Sequence, residues 1–168
     1  MSKQFQLPVF RNRNASIVQG VPVFDVDKLE VKDRIGHGSF GEVFTAKYAA
    51  PNQTAQTVVV KKPLQALDSE ERKLFLKEVA LLKVLNHDNV VNIKGASYNP
   101  CALMLEYLFF SFVPFGERND RRVSSISDLL LHIDVVYSFD RFEHLLAFAA
   151  QDIVRGLSYL HSHGVAHR

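Results

Sequence analysis

The sequence predicts an α+β fold: a five-stranded antiparallel sheet with one packed helix, then a connector and the first helices of a second, helical part. Three observations carry this. Short stretches rich in β-branched and aromatic residues recur from Leu29 to Leu105, separated by Gly, Pro and Asn. A single well-signalled helix interrupts them between Asp68 and Leu85. A long run of three- and four-residue apolar spacing follows, from Phe142 to Leu160.

Taken in order, residues 1–27 are polar, mixed and without a clear period, and are expected to be a loosely ordered leader. Leu29, Val31 and Ile35 begin a strand that runs into Gly36-His37-Gly38-Ser39-Phe40-Gly41. Glu42 to Tyr48 reads as a second strand, Pro51-Asn52-Gln53 as a turn, and Thr57 to Lys61 as a third strand ended near Pro63. Asp68 then stands three residues before Glu71, the spacing of a capping box, ahead of the apolar positions Leu74 to Leu85. Val90 to Ile93 and Ala102 to Leu105 read as two more strands, joined around Gly95 and Asn99-Pro100. Residues 109–139 form an irregular insert with a short helix through Leu129-Leu130-Leu131, capped by Ser125 or Ser127. Asp140 and Glu143 repeat the capping-box spacing ahead of the long helix, and Gly164 is its expected stop.

Composition narrows the function classes. The chain has 168 residues, 47% apolar and 23% charged, as in soluble globular proteins. A net charge of +2 gives no basic footprint for nucleic acid. One Cys excludes an intramolecular disulfide framework and suits a reducing, cytoplasmic setting. Met1 to Asn14 lacks the apolar core of a secretory signal. The richest apolar stretch, Ala102 to Phe115, is broken by Glu106, Ser111 and Pro114, short of the roughly 18 residues a membrane span requires.

Two features point to chemistry. Gly36-x-Gly38-x-x-Gly41 fits two unrelated phosphate sites, and its context separates them. In a dinucleotide-binding fold the glycines open a helix, with an acidic residue about 20 positions later. Here strand residues Val43-Phe44-Thr45 follow, and Val58-Val59-Val60-Lys61 stands where the acid would be. The glycines therefore sit in a turn between antiparallel strands, where a backbone without side chains can lie over a polyphosphate. The second feature is a pair of misplaced charges. With Leu74 taken as zero, Leu81, Leu85 and Leu82 lie at about −20°, 20° and 80°, and Glu78, at about 40°, falls in the middle of that apolar arc. Lys61 ends a run of valines on a strand expected to be central. Each charge accounts for the other, because a carboxylate and an ammonium on core-facing positions need pairing. Lys62 is the alternative, since adjacent strand residues face opposite ways; Lys61 is favoured because Pro63 frays the strand beside Lys62.

These residues resemble the signature set of the protein-kinase family. The resemblance covers about Leu29 to Arg168. It comprises the glycine turn with Val43, Val59-Val60-Lys61, Glu78, Leu85-x-His87-x-Asn89-Val90-Val91, Leu103-Met104-Leu105-Glu106-Tyr107, Gly156-Leu157-x-Tyr159-Leu160-His161, and His167-Arg168. It implies a kinase-like small lobe and hinge at residues 28–108, and a long helix with the start of the catalytic loop at 140–168. It also implies roles. Gly36 to Val43, including His37, Gly38, Ser39, Phe40 and Gly41, would cover the phosphates of ATP. Ile35, Val43 and Val59 would pack on adenine. Lys61 would contact the α- and β-phosphates and pair with Glu78. Leu105 would be the gatekeeper, and Glu106 and Leu108 would offer backbone groups to the adenine edge. The partners implied are ATP, with Mg²⁺ held by residues outside this chain, and a protein substrate with a Ser/Thr or Tyr hydroxyl.

Departures from the pattern matter as well. The sequence as given reaches His167-Arg168 but not the Asp that follows in the family, nor the Mg²⁺-binding motifs. These residues alone are therefore expected to be inactive; the other expectation is a truncated or pseudokinase module acting by nucleotide or partner binding. The insert after the hinge is longer and more aromatic than the family's usual connector. Within it, Arg121-Arg122-Val123-Ser124 resembles a site for a basic-directed kinase. His87, His161 and His163 lack nearby Cys or paired carboxylates and are read as structural, and Cys101 as a loop thiol.

Overall fold

The protein was analysed as a computed structural model that describes residues 17–38, 41–111, 122–136 and 139–166, with side chains except at 38, 132–136 and 139–144. Five strands form one antiparallel sheet: β1 (Glu30–Gly38), β2 (Gly41–Tyr48), β3 (Gln56–Lys62), β4 (Ile93–Tyr98) and β5 (Cys101–Glu106), in the order β1-β2-β3-β5-β4. Helix α1 (Ser69–Val84) lies between β3 and β4. Beyond the sheet come a two-residue hairpin, β6 (Phe110–Ser111) with β7 (Arg122–Val123), and helices α2 (Ile126–Val136) and α3 (Phe139–Ser162).

The alternation of β3 assigns the two faces of the sheet. Val58 and Val60 are buried with Phe44, Ala46, Ala102 and Met104. Val59 and Lys61 point the other way, opposite Leu105 and Leu103 of β5. Helix α1 covers the Leu103 part of that second face with Phe75, Val79 and Ala80. It starts as expected: the Asp68 carboxylate accepts the Glu70 and Glu71 amides, and Glu71 accepts the Asp68 amide. Arg72 then ties the helix to the β4–β5 turn by donating to the Tyr98 carbonyl at 2.8 Å.

The leader is the largest correction. Residues 1–16 lie outside the described residues, but Val18, Val21 and Phe24 are buried, so these side chains tie residues 18–24 to the core rather than leaving them loose. The segment runs parallel to β4 along its outer edge. The Ala96 amide donates to the Pro22 carbonyl at 2.9 Å, and the Phe24 amide donates to the Ala96 carbonyl at 3.3 Å. Val18 and Val21 join the α1 side of the core, while Phe24 crosses to the other face. The Tyr98 hydroxyl accepts the Val18 amide at 3.0 Å, and the Lys83 ammonium donates to the Gln19 carbonyl at 2.6 Å.

The same packing displaces the fourth strand from Val90–Ile93 to Ile93–Tyr98. Gly95, expected at a joint, lies inside β4, because a Cβ there would come within 2.9 Å of the Pro22 carbonyl oxygen. Leu74 is also corrected. It is 62% exposed, and the core face of α1 centres on Phe75 and Val79. Cys101 opens β5 and is buried, not a loop thiol.

Ser125, not Ser127, caps α2: its hydroxyl accepts the Asp128 amide at 3.0 Å and donates to the Asp128 carboxylate at 2.7 Å. Leu129 anchors α2 against Phe110, Val123 and Leu145, joining the hairpin to α3. Helix α3 begins at Phe139, so Asp140 lies inside it and not ahead of it as a cap. It ends in a Schellman turn, with Gly164 at φ 71°, the Val165 amide on the Leu160 carbonyl and the Gly164 amide on the His161 carbonyl.

Candidate functional site

The pairing register assembles the site on one face of the sheet. Val43 on β2 lies opposite Lys61, which lies opposite Leu103; Val59 lies opposite Leu105. The Lys61 ammonium donates to the Glu78 carboxylate at 2.8 Å. Their side chains keep 34% and 42% of their surface open, so the pair stands at the rim of the core, beside a cavity lined also by Leu74, Phe75 and Leu103. Lys62 is directed elsewhere, towards a separate cavity with Pro63, Arg72 and Tyr98.

Ile35, Val59, Leu105, Glu106 and Leu108 converge on a second cleft of about 530 Å³ on the same face. Its walls are apolar on the sheet side, as a flat aromatic ring requires. The Glu106 carboxylate is not aimed into it. It accepts the Asn92 amide at 2.8 Å and the Asn92 side-chain nitrogen at 3.1 Å, while the Glu106 amide donates to the Asn92 carbonyl. The Glu106 carbonyl is therefore the group this residue can offer a ligand.

The glycines divide into two cases. Gly41 has φ 132°, and a Cβ there would fall 2.2 Å from the Lys62 carbonyl oxygen, so the crossing of β2 over the end of β3 demands glycine. Gly36 is different: a Cβ would meet only Val43, at 3.4 Å, an ordinary contact. Packing does not require the missing side chain there. Gly38 pairs with Gly41 across the turn. Ser39, Phe40, His167 and Arg168 lie outside the described residues, as does Arg121.

A family model described as "Protein tyrosine and serine/threonine kinase" matches residues 29–168. The chain belongs to the protein kinase family. It is similar to cyclin-dependent kinase 9 of Rattus norvegicus, 32% identical over 151 residues, to that of Bos taurus at 31% and to that of Homo sapiens at 30%. Each match covers 86% of this chain and 36% of the relative, so the chain spans about a third of the length of the curated relatives it matches.

Within this kinase small lobe, the cleft has a wall that the motifs did not point to. Arg34, Val91, Ser124, Ser125 and Asp128 complete its lining. The last three come from the insert, brought there by the β6–β7 hairpin and the start of α2. Val91, Ser124 and Ser125 each carried a sequence signal, as part of a family motif, of a basic-directed site and of a helix cap, but none as a wall of the cleft, and Arg34 and Asp128 carried none. Two of the histidines, His87 and His163, pack on Tyr159. His87 Nδ1 accepts the Asn89 amide at 3.0 Å, and Tyr159 is sandwiched between the His87 and His163 rings, at 4.7 and 4.2 Å. Among the described residues no helix is long and apolar enough to cross a membrane.

Proposed function

We propose that these residues form the ATP-binding portion of a protein kinase that transfers a phosphoryl group to a protein Ser/Thr or Tyr hydroxyl. The observation that carries the reading is the Lys61–Glu78 pair at 2.8 Å, on the same sheet face as the apolar cleft of Ile35, Val59 and Leu105. A lysine held by a carboxylate keeps its ammonium at a fixed point from which it can meet phosphate oxygens.

ATP, bound with Mg²⁺ whose family ligands lie in motifs outside these residues, supplies the γ-phosphoryl group. The chain's own residues bind and orient. Ile35 and Val59 clamp the adenine ring, Leu105 closes the back of the cleft, and the Glu106 carbonyl and the Leu108 backbone read the adenine edge. The turn between β1 and β2 presents backbone N–H groups to the phosphates, and Lys61 neutralises charge on their oxygens. Location in the cytoplasm goes with this reading.

Binding of a fluorescent ATP analogue tests it. Lys61→Ala is expected to weaken affinity by about 10- to 100-fold, the worth of a charge-assisted hydrogen bond. Lys62→Ala is expected to change it by less than about twofold, because its side chain lines a separate cavity. Equal losses for the two variants would sink the assignment.

A further inference from the structure

We propose that Ser124 is a phosphorylation site and that a phosphate on it closes the nucleotide cleft. This inference rests on the reading of that cleft as the ATP site and assigns it a regulator. The sequence Arg121-Arg122-Val123-Ser124 puts two cations three and two positions ahead of an exposed hydroxyl. That arrangement suits a modifying kinase whose peptide groove is acidic. Ser124 follows β7 directly, and the two-residue ladder of β6 with β7 is short enough to open for such a groove. Ser125 is the competing hydroxyl, but it is committed to the α2 cap, donating to the Asp128 carboxylate and accepting the Asp128 amide.

What the modification does follows from where Ser124 stands. It lines the same cleft as Ile35, Val59, Leu105 and Leu108, on the wall supplied by the insert. In the transfer, the Ser124 oxygen forms a bond to the γ-phosphorus of the modifying kinase's ATP. The bond from that phosphorus to the β-bridging oxygen breaks, ADP leaves, and the hydroxyl proton passes to the modifying kinase's base. The product carries about −2 charge at neutral pH.

The Asp128 carboxylate, on the same wall of the cleft, repels the new charge, and so does an incoming nucleoside triphosphate. Arg34 is the cation on the opposite wall. Its guanidinium pairs with Glu42 at 3.5 Å in a largely exposed contact, which a dianion can outcompete. A phosphate on Ser124 bridged to Arg34 spans the mouth through which adenine enters.

The test treats the chain with Mg-ATP and a purified Arg-directed Ser/Thr kinase, maps phosphate by peptide mass spectrometry, and measures affinity for a fluorescent ATP analogue. Phosphate is expected on Ser124, retained in Ser125→Ala and lost in Ser124→Ala. Affinity of the modified chain is expected to fall at least about tenfold, while the affinity of Ser124→Ala is expected to be the same before and after the treatment and Arg34→Ala to relieve part of the loss. Phosphate elsewhere only, or a modified Ser124 with unchanged affinity, overturns the proposal while the nucleotide reading stands. An unmodified chain that binds no ATP analogue removes both.

Discussion

Tyr159 of α3 stacks on His87, ring centroids 4.7 Å apart, and its hydroxyl accepts the Asn86 amide at 3.0 Å. The two residues come from distant motifs, one after α1 and one near the end of α3. Gly156, one turn earlier on α3, sits so close to the same loop that a Cβ would lie 2.5 Å from the Asn89 carbonyl oxygen. The helix is therefore seated on the α1–β4 loop through an aromatic stack, one hydrogen bond and one backbone contact, and that seat fixes how the second part meets the sheet.

Gly156→Val is expected to unseat α3, because backbone and not a flexible side chain occupies the space the new atoms need. Hydrogen exchange at the Asn86 amide should rise roughly tenfold, as its hydrogen bond to Tyr159 is lost. Tyr159→Phe should raise exchange at the same amide while the rest of α3 keeps its protection. Unchanged exchange at Asn86 in both variants would show that this contact does not hold the helix.

Glu78→Gln removes the charge that holds Lys61 but keeps the shape of the side chain. Because both partners are substantially open to solvent, the pair contributes little to stability. The expected outcome is a melting temperature within about 2 °C of the parent and affinity for an ATP analogue lower by roughly tenfold. A large drop in melting temperature with unchanged affinity would make the pair structural.

Val21→Asp tests the leader's place in the core. An unpaired carboxylate would be buried against Phe75 and Val79, destabilising the fold by roughly 3 kcal/mol in urea denaturation. Since α1 carries both those contacts and Glu78, nucleotide affinity should fall as well. Pro22→Ala, whose carbonyl contact to Ala96 is a backbone one, should leave both nearly unchanged.

Burial pushes the Cys101 thiol and the Tyr98 phenol above their ordinary values of 9.0 and 10.0. Both groups hold their protons longer folded than unfolded, so the unfolded state binds fewer protons once the pH passes those ordinary values. Stability contributed by the two neutral groups is complete below about pH 9 and falls as pH rises towards their folded values. Urea midpoints measured from pH 7 to 10.5 should decline above about 9, and less steeply in Cys101→Ala. At pH 8, alkylation of Cys101 should be slow in the native chain and fast in urea.

The parts legible in the sequence are those with a local or strongly periodic signal. The capping box at Asp68, the valine strand ending in Lys61, the glycine turn and Gly164 needed no knowledge of distant neighbours. Glu78 was legible for an imperfect reason: taking Leu74 as core-facing put it in the apolar stripe, whereas it stands at the rim of the core, on the cavity it lines with Lys61 and Leu103. Val18, Val21 and Phe24 were not legible. A segment that winds across a strand edge buries side chains on both faces and has neither a helical nor a strand period. That Ser124 and Asp128 line the cleft was hidden for another reason: the insert returns them there only through the hairpin and the Leu129 contact, both long-range.

The parallel run of Pro22 to Phe24 beside Ala96 also defines where the folding unit starts. The family model's match begins at residue 29, yet the β4 edge of the sheet is bonded by residues that precede it. Cutting at the homology boundary would leave β4 with a bare row of amides and carbonyls next to uncovered Phe75 and Ala96, a template for strand addition between molecules. Edge protection is thus a job of the leader, and the physical domain is at least eleven residues longer at its start, from Val18, than the family resemblance alone marks out.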